Sequence, residues 1–521
     1  MLALPDVLDR DGGILVGRGI IRHQNISRGF ARVCAEKSIQ TDVLVVGSGA
    51  VGVAASIEAK EAGAQVIVLE KEDHLGGAAA ISGGGCCIVD TPLQREKGIQ
   101  DSHDLAFNDW VSWGQGSADE EWVRFYVEQS CRELYEWAKD RGVNWVGVNP
   151  NEGNSVPRWH RPEGGGGGLW HALYATALSR GIESWITSTA VQELIMEDGS
   201  AVGVRTENLE TGQSQEYFAK AIVMGTGGFA SNLDMVLEHR PDLRDHRILE
   251  GSHVGAKGDG HHVVQEAGGI LTHMGDIWFY SFAIPDHRDP NQRRGLVIRG
   301  MSDAVWVNMQ GHRFHNEEMT GGWSGTRAIM AQEPAQCWAI IDGAMREHVI
   351  VSDPYYYQEG ISVRDYEKVA ELLEVSPYVK RGSTLEALAQ DMDVTVETLK
   401  DTIDRYNSHI DSGLEKDPDF GRPMAGRQKI EQAPFYALNY GPLARKNFGG
   451  VKTDLRCQVV DKNYRVIDGL FAAGELAGMA GGHINGKAGL EGTMLGPALF
   501  SGRVAGAWAA REAGFGNGFP G

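Results

Sequence analysis

The stretch Asp42 to Val46 is apolar after its first residue and breaks at Gly47, an Ala-rich stretch runs from Val51 to Ala62, and a second apolar run spans Gln65 to Leu69. The pattern predicts strand, helix, strand. Gly-rich loops expected at 76–85, 164–168 and 225–228 separate segments of alternating type, and a further Gly-rich region covers 474–492. This punctuation predicts an α/β protein built on a Rossmann-type unit. Residues 276–435 are richer in Trp, Tyr and charge, contain the helical patterns TLEALAQDM and TVETLKDTIDRYNSHI, and hold no nucleotide motif. An inserted α+β domain is expected there, between the halves 41–275 and 436–515 of a discontinuous nucleotide-binding domain, with an N-terminal extension over 1–40.

Charge narrows the partners. Against 49 Lys+Arg stand 70 Asp+Glu, a formal charge of −21 that repels nucleic-acid phosphates and anionic membrane surfaces. No apolar run approaches the roughly 20 residues of a membrane span. The first 33 residues carry charges throughout and resemble no export signal, so a cytoplasmic location is expected. Six cysteines, Cys34, Cys86, Cys87, Cys131, Cys337 and Cys457, form no CxxC, haem or iron–sulfur spacing. His261 and His262 are chain neighbours that face different ways on a helix, so no metal site is expected.

Gly47-Ser48-Gly49-Ala50-Val51-Gly52 has the GxGxxG form between the strand and the helix, and Glu70 closes the second strand about 20 residues on. One glycine permits the tight turn, the next lets backbone N–H groups approach a pyrophosphate, and the third lets helix pack on strand. Glu70 is expected to accept from a ribose hydroxyl. No second such motif lies between a strand and a helix, so a nicotinamide site is not expected.

After Glu70 the chain reads Lys71-Glu72-Asp73-His74-Leu75-Gly76-Gly77-Ala78-Ala79-Ala80-Ile81-Ser82-Gly83-Gly84-Gly85, which resembles the EK-x-x-x-x-GG-x-x-x-x-SGG run of the fumarate reductase/succinate dehydrogenase flavoproteins, a family that includes the 3-ketosteroid Δ1-dehydrogenases. Ordered matches continue at 224–229, 258–260, 311–317, 469–475 and 496–503. The resemblance implies a Rossmann-type FAD-binding domain with a catalytic cap inserted over 276–435. It implies FAD seated along Ser48, Ala50, Val51, Lys71, Gly77, Ala78, Ser82, Gly83, Gly84, Val191, Thr226 and Gly227, with Asp259 and Glu475 on ribose or ribityl hydroxyls. Backbone at Met494 and Leu495 would approach the flavin pyrimidine edge, where a helix beginning near Gly492 would direct unpaired N–H groups at developing charge. Gly77 to Ile81 offer only small or apolar groups, so FAD is expected to be non-covalent. Electrons are expected to pass to or from an external acceptor such as a quinone or another flavoprotein.

The substrate residues depart from the fumarate reductase pattern. Phe282-Ala283-Ile284 stands where HPT is expected, Asn447-Phe448-Gly449-Gly450 replaces a His, and no Arg follows Glu317 at the proton donor's place among Glu318 to Trp323. Only Lys487, at the spacing of the last family Arg, could hold a carboxylate. The stretch Gly482 to Ala498 instead resembles the ketosteroid dehydrogenases, two residues longer, with Asn485 at the Tyr and Gly489 at the Gly that hold the ketone oxygen, and Glu491 as a rival for the second place. Tyr280 or Tyr126 is expected as the base, replacing a Tyr the family carries among the residues now Thr320, Gly321, Gly322 and Trp323. Trp110 and Trp113 are expected to roof the pocket and Trp323 to enter from the other side, aromatic walls suited to a small apolar ring. Arg313 with Glu317 reads as a structural pair, and Arg299 matches a proton-relay Arg. The expected reaction is α,β-desaturation of a cyclic ketone, a 3-ketosteroid or a smaller ring such as cyclohexanone. Reduction of an unsaturated acid or enone is the alternative, and a non-catalytic flavoprotein a third reading.

Overall fold

The computed structural model describes residues 38–319, 323–358 and 363–520. Most of the expected N-terminal extension lies outside the described residues, while Ile39 and Gln40 already belong to the first strand.

Strand β1 (Ile39–Val46), helix α1 (Ala50–Glu61) and strand β2 (Val66–Leu69) form the expected opening unit. β1 pairs in parallel with β2, Val43 opposite Val66, and on its other side with β3 (Ser214–Met224), Val46 opposite Met224. Strand Val466–Ala472 continues the parallel set beyond β3, an antiparallel hairpin, Thr189–Glu197 and Ser200–Asn208, joins the same sheet, and the short strands Trp185–Ile186 and Gln458–Val460 edge it. Both faces of β1 are covered: Val43 and Val45 belong to the cluster containing α1, whereas Leu44 and Val46 join Val263 and Val264 of helix α2 (Asp259–Glu266). That is why β1 reads as an unbroken apolar run rather than an alternating one. Each such fully buried Val or Leu contributes about 1.5–3 kcal/mol.

The second eight-stranded sheet contains β4 (Ile277–Pro285), β5 (Gly295–Arg299) and, after the seven-residue helix α3 (Ser324–Met330), the long strand β6 (Phe435–Asn447). β6 pairs antiparallel with β4, with Cys337–Ile341 and with Val379–Gly382, and in parallel with Leu249–Glu250. The two helical patterns of this region form Leu385–Met392, capped by the Thr384 hydroxyl on Ala387 N–H, and Val396–Asp411. Helix α4 (Leu495–Glu512) returns to α1, where Gly502 and Gly506 let the two backbones approach: a Cβ on Gly506 would stand 2.3 Å from Ala55 O.

Two expectations need correction. Gly165 to Gly168 are not a loop but the first turn of helix Gly165–Ser179, because a helix start without side chains is what fits against the preceding segment; a Cβ on Gly166 would lie 2.2 Å from Ala79 O. The last helix begins at Leu495, three residues after Gly492, and the chain before it runs in turns.

Candidate active site

At the C-terminal end of β1 the chain must turn sharply into α1. Gly47 has φ of 97°, and a Cβ there would stand 2.4 Å from Gly225 O; a Cβ on Gly52 would stand 2.0 Å from Gly47 O. These two glycines serve the turn and the helix–strand contact. Gly49 is different: its Cβ would meet nothing closer than Gly76 O at 3.7 Å, so the space beside it belongs to no protein atom. α1 starts there without a side-chain cap, leaving first-turn N–H groups for an anion.

A pocket runs from this turn in both directions, lined by Gly47 to Val51, Glu70, Lys71, Gly77, Ala78 and Ser82. Val191, Thr226, Gly227, Asp259, Glu475, Met494 and Leu495 line it further on. Glu70, 9% exposed, receives the Ser48 N–H at 2.9 Å and the Ser48 hydroxyl at 2.6 Å on one oxygen and the Glu72 N–H on the other. The Ser48 hydroxyl also accepts from Gly76 N–H at 3.0 Å, tying the Gly-rich loop to the strand end. Lys71 reaches across to Asp259 at 2.5 Å and to Gly255 O. The Thr226 hydroxyl is buried without a partner among the described residues, an unspent donor on the pocket wall. Glu475 is held by Lys446 at 3.0 Å. Two expected members fall outside the lining: Gly83 is exposed, and Gly84 is packed on the glycine helix, where a Cβ would lie 2.5 Å from Gly166 N. The uncapped helix start, the vacant space beside Gly49 and the carboxylates at two strand and helix ends fit a dinucleotide laid along the sheet edge.

Beyond Met494 the character changes. A Cβ on Gly489 would come within 2.9 Å of Met494 Cε and 2.7 Å of Phe448 Cζ, so this glycine lets Phe448 close down beside the pocket end. Phe448 stacks on Trp278 with centroids 5.7 Å apart, Trp278 meets Tyr280 edge-on at 5.7 Å, and Tyr280 stacks on Phe282 at 5.0 Å. Trp278, Tyr280 and Phe282 alternate along β4 and so present one aromatic face. The guanidinium of Arg445 lies 5.5 Å from the Tyr280 ring and that of Arg299 lies 5.9 Å from it. Neither arginine forms an ion pair among the described residues, although Arg445 donates to Gly251 O. The Tyr280 hydroxyl is pushed above its ordinary value, chiefly by burial. Glu491, in the loop before α4, is lifted to about 7 by burial against the opposing pull of Arg299 and Arg445. Glu152 adds negative charge nearby and accepts a hydrogen bond from Ser324 at the start of α3.

Several expected substrate residues stand elsewhere. Asn485 is fully buried and donates one amide N–H to Thr493 O at 3.1 Å, tying the loop to itself, while its Oδ1 is buried without a partner among the described residues. Lys487 is exposed, with its backbone N–H on the Ser117 hydroxyl. Tyr126 is buried in the core and its hydroxyl donates to Cys87 O at 2.6 Å, while burial pushes its ionisation far up, so it is not a base. Trp110 is core as well, bonded to Ile484 O and edge-on to Tyr126. Trp113 is partly buried and donates to Gly489 O at 3.2 Å, bracing the loop beside Phe448. Trp323 caps α3 next to Ser324, with the Arg327 guanidinium 5.0 Å from its ring. Thr320, Gly321 and Gly322 lie outside the described residues. Arg313 pairs with Glu317 at 2.6 Å as expected, in a buried network with Asp417 and Arg422.

Sequence reasoning missed Arg445 and Trp278 as neighbours of Tyr280, Phe448 as the ring stacked on Trp278, and Glu152 as a charge acting on Glu491. The available signal was the period-2 aromatic run Trp278, Tyr280, Phe282 and the cation directly before Lys446-Asn447-Phe448.

A family model described as an FAD binding domain matches residues 42–495. A probable fumarate reductase of Shewanella frigidimarina is 31% identical over 490 residues, covering 92% of this chain and 76% of the relative. A vinyl phenol reductase of Lactiplantibacillus plantarum is 30% identical, covering 90% of this chain and 96% of the relative. The crystal structure of a 3-ketosteroid-Δ4-(5α)-dehydrogenase of Rhodococcus jostii in complex with 4-androstene-3,17-dione superposes with a TM-score of 0.69 at 28% identity, over 92% of this chain and 99% of that one.

Proposed function

The chain belongs to the FAD binding domain family and is an FAD-dependent oxidoreductase acting on CH–CH groups; from that premise we propose that it desaturates a cyclic ketone between the carbons α and β to the carbonyl. The observation that carries this is the aromatic run from Phe448 to Phe282, which starts beside Met494 at the cofactor pocket and meets the guanidinium of Arg445 at Tyr280 and that of Arg299 at Tyr280 and Phe282. A flat apolar ring suits the face, and its oxygen suits the cations.

When bound, FAD supplies two-electron exchange with a carbon–hydrogen bond. The chain's residues do the rest. First-turn N–H groups of α1 would hold the pyrophosphate, Glu70 and Asp259 would accept from the cofactor's hydroxyls, and Met494 and Leu495 at the uncapped start of α4 would hold the flavin end, without a covalent link. Tyr280 and Phe282 hold the ring, backed by the buried Trp278 and Phe448. Arg299 and Arg445 take over the role expected of Asn485 and Gly489: donors on the carbonyl oxygen stabilise charge that develops there, each worth roughly 2.7–4 kcal/mol by analogy with oxyanion holes. In this reading the cap is the second sheet with its helices, which takes in Leu249–Glu250 and β6 beside the expected 276–435, over a Rossmann-type domain formed by the rest of 41–275 and 436–515, and electrons leave to an external acceptor.

A second reading has its own support. Two guanidinium groups that form no ion pair among the described residues, with Glu491 the carboxyl under their pull, bind an added carboxylate more strongly than a neutral oxygen, which favours reduction of an aromatic enoic acid. Anaerobic spectroscopy separates the two. Bleaching of oxidised flavin by cyclohexanone or a saturated 3-ketosteroid is the expected result; no bleaching by any ketone, with rapid reoxidation of reduced enzyme by an enoic acid, replaces the first reading by the second.

A further inference from the structure

We propose that His273, Asp276 and His483 form a binding site for one divalent transition metal ion, with Zn2+ as the probe. Each residue offers one ligand atom, and the three atoms lie within 4.8 Å of one another. Asp276 Oδ2 is 2.8 Å from His483 Nε2 and 3.8 Å from His273 Nδ1, and the two imidazole rings stack with centroids 3.7 Å apart. The site uses no residue of the substrate cluster and stands whichever substrate is turned over.

Asp276 and His483 are 207 residues apart, which is why the sequence raises only the adjacent His261 and His262 and predicts no metal site. His273 and Asp276 close a turn ahead of β4: Asp276 N–H donates to His273 O at 2.9 Å, and His273 takes φ of 54°, in the left-handed region. The turn lies hard against Gly449, where a Cβ would stand 2.1 Å from His273 O, and Asp276 O accepts from Phe448 N–H at 2.8 Å. His483 arrives from the loop before α4, its carbonyl accepting from Asp119 N–H at 3.1 Å. His483 is buried, Asp276 partly buried and His273 exposed, so one ligand is fixed while the other end opens to solvent for entry.

The charge balance suits a cation. Among the described residues the Asp276 carboxylate meets no Lys or Arg, only the two imidazoles. Of the nearby lysines, Lys452 is paired with Asp119 at 2.8 Å and Lys487 is exposed. A second triple, His409, Asp417 and Asp419, differs: Asp417 carries Arg313 at 3.1 Å and Asp419 carries Arg405, so both carboxylates are already neutralised. Bonds of roughly 2.0–2.2 Å put the ligands of a tetrahedral Zn2+ about 3.4 Å apart, between the 2.8 and 3.8 Å observed. Zn2+ has no geometric preference from its d electrons and takes imidazole and carboxylate together, leaving a place for water. On binding, the hydrogen shared by His483 Nε2 and Asp276 Oδ2 leaves that position and the ion takes it. The ion thereby fastens the turn that opens β4 to the loop that runs to Met494.

The test is calorimetric titration of untagged, chelator-treated holoenzyme with Zn2+, with Co2+ absorption as a second measurement. Wild type should bind Zn2+, and its melting temperature should rise with Zn2+ concentration. His273→Ala and Asp276→Asn should each weaken binding about tenfold or more, since even an outer-shell partner of a metal ligand is worth roughly 10–100-fold in affinity. His409→Ala should bind as wild type does. His273 is exposed, so His273→Ala without metal should match the flavin absorbance and melting temperature of chelator-treated wild type. Co2+ should give visible bands in wild type without the near-ultraviolet band of a thiolate ligand. Absence of Zn2+ binding in wild type overturns the proposal, as does wild-type affinity in His273→Ala, a weakening confined to His409→Ala, or a thiolate band that places the ion on cysteine.

Discussion

The two ends of the cleft are built from different materials. The cofactor end is backbone: Gly47, Gly49 and Gly52 lie within six residues, the first and last because a side chain would strike backbone, Gly49 because it borders space that no protein atom fills. The substrate end is side chains: Tyr280, Arg299, Arg445, Phe448 and Glu491 come from stretches of chain more than 200 residues apart in the extreme case. A backbone cradle tolerates one chemical solution, because a dinucleotide presents the same phosphates to every member of a family. A side-chain cluster is free to change, and here cations and a carboxyl occupy a region where the resemblance to ketosteroid dehydrogenases led us to expect Asn485 and a glycine N–H.

The contrast breaks most sharply at Gly49. Gly49→Val should fold, since the added methyl groups meet little protein, and yet bind FAD at least 100-fold more weakly than wild type, a cost of about 2.7 kcal/mol, whereas Gly52→Val should fail to fold because its Cβ would sit 2.0 Å from Gly47 O. Absorbance at the flavin band and thermal melts of the two proteins check this; a stoichiometrically yellow Gly49→Val would show that the vacant space serves no pyrophosphate. Next in size is the substrate end. Arg445→Ala should leave flavin content intact and lower kcat/KM on the best substrate by about 10²–10³-fold, the loss of one charge-stabilising donor. If kcat is kept and only KM rises, the arginine binds a ground-state anion, and the acid-reductase reading gains.

Smaller effects sharpen the boundary between cluster and scaffold. Asn485→Ala should cost about 1–3 kcal/mol of stability by breaking the buried bond to Thr493 O, seen as a lower melting temperature with kcat reduced less than in Arg445→Ala. Lys487→Ala should change stability by less than about 0.5 kcal/mol, as exposed substitutions do, and steady-state kinetics should find its kcat/KM near wild type. A large kinetic loss there would return Lys487 to the substrate.

The cofactor end was legible because its rules are local. Strand, turn, helix and the terminal Glu70 sit inside one stretch of 39–70, and glycine spacing records steric needs that no other residue meets. The helices of the second region were legible for the same reason, through apolar periodicity and the Thr384 cap. The substrate end was only partly legible, since the pairing of β4 with β6 brings Tyr280 opposite Leu443 and thus near Arg445, a register that neither segment states alone. Anchoring on His483 carried the resemblance into a longer loop, where the residue matched by spacing, Asn485, turned inward and Glu491 met the charged groups. The glycine run at 164–168 misled for another reason: composition says loop, and contact with Ala79 says helix.

Strand β6 ends in three consecutive residues that serve both regions. Arg445 faces Tyr280, Lys446 pairs with Glu475 on the cofactor pocket, and Asn447 accepts from Phe229 N–H while donating to Glu475 O. A ligand that fixes the position of Arg445 therefore fixes the hold on Glu475, and the reverse holds equally. Two molecules bound through one rigid strand end cannot have independent affinities: whatever factor the cofactor adds to the binding of a substrate, the substrate adds to retention of the cofactor. The protein should accordingly release flavin at a different rate when a substrate or a competitive inhibitor occupies the guanidinium pair than when it is idle, and by the same factor that flavin changes the binding of that ligand.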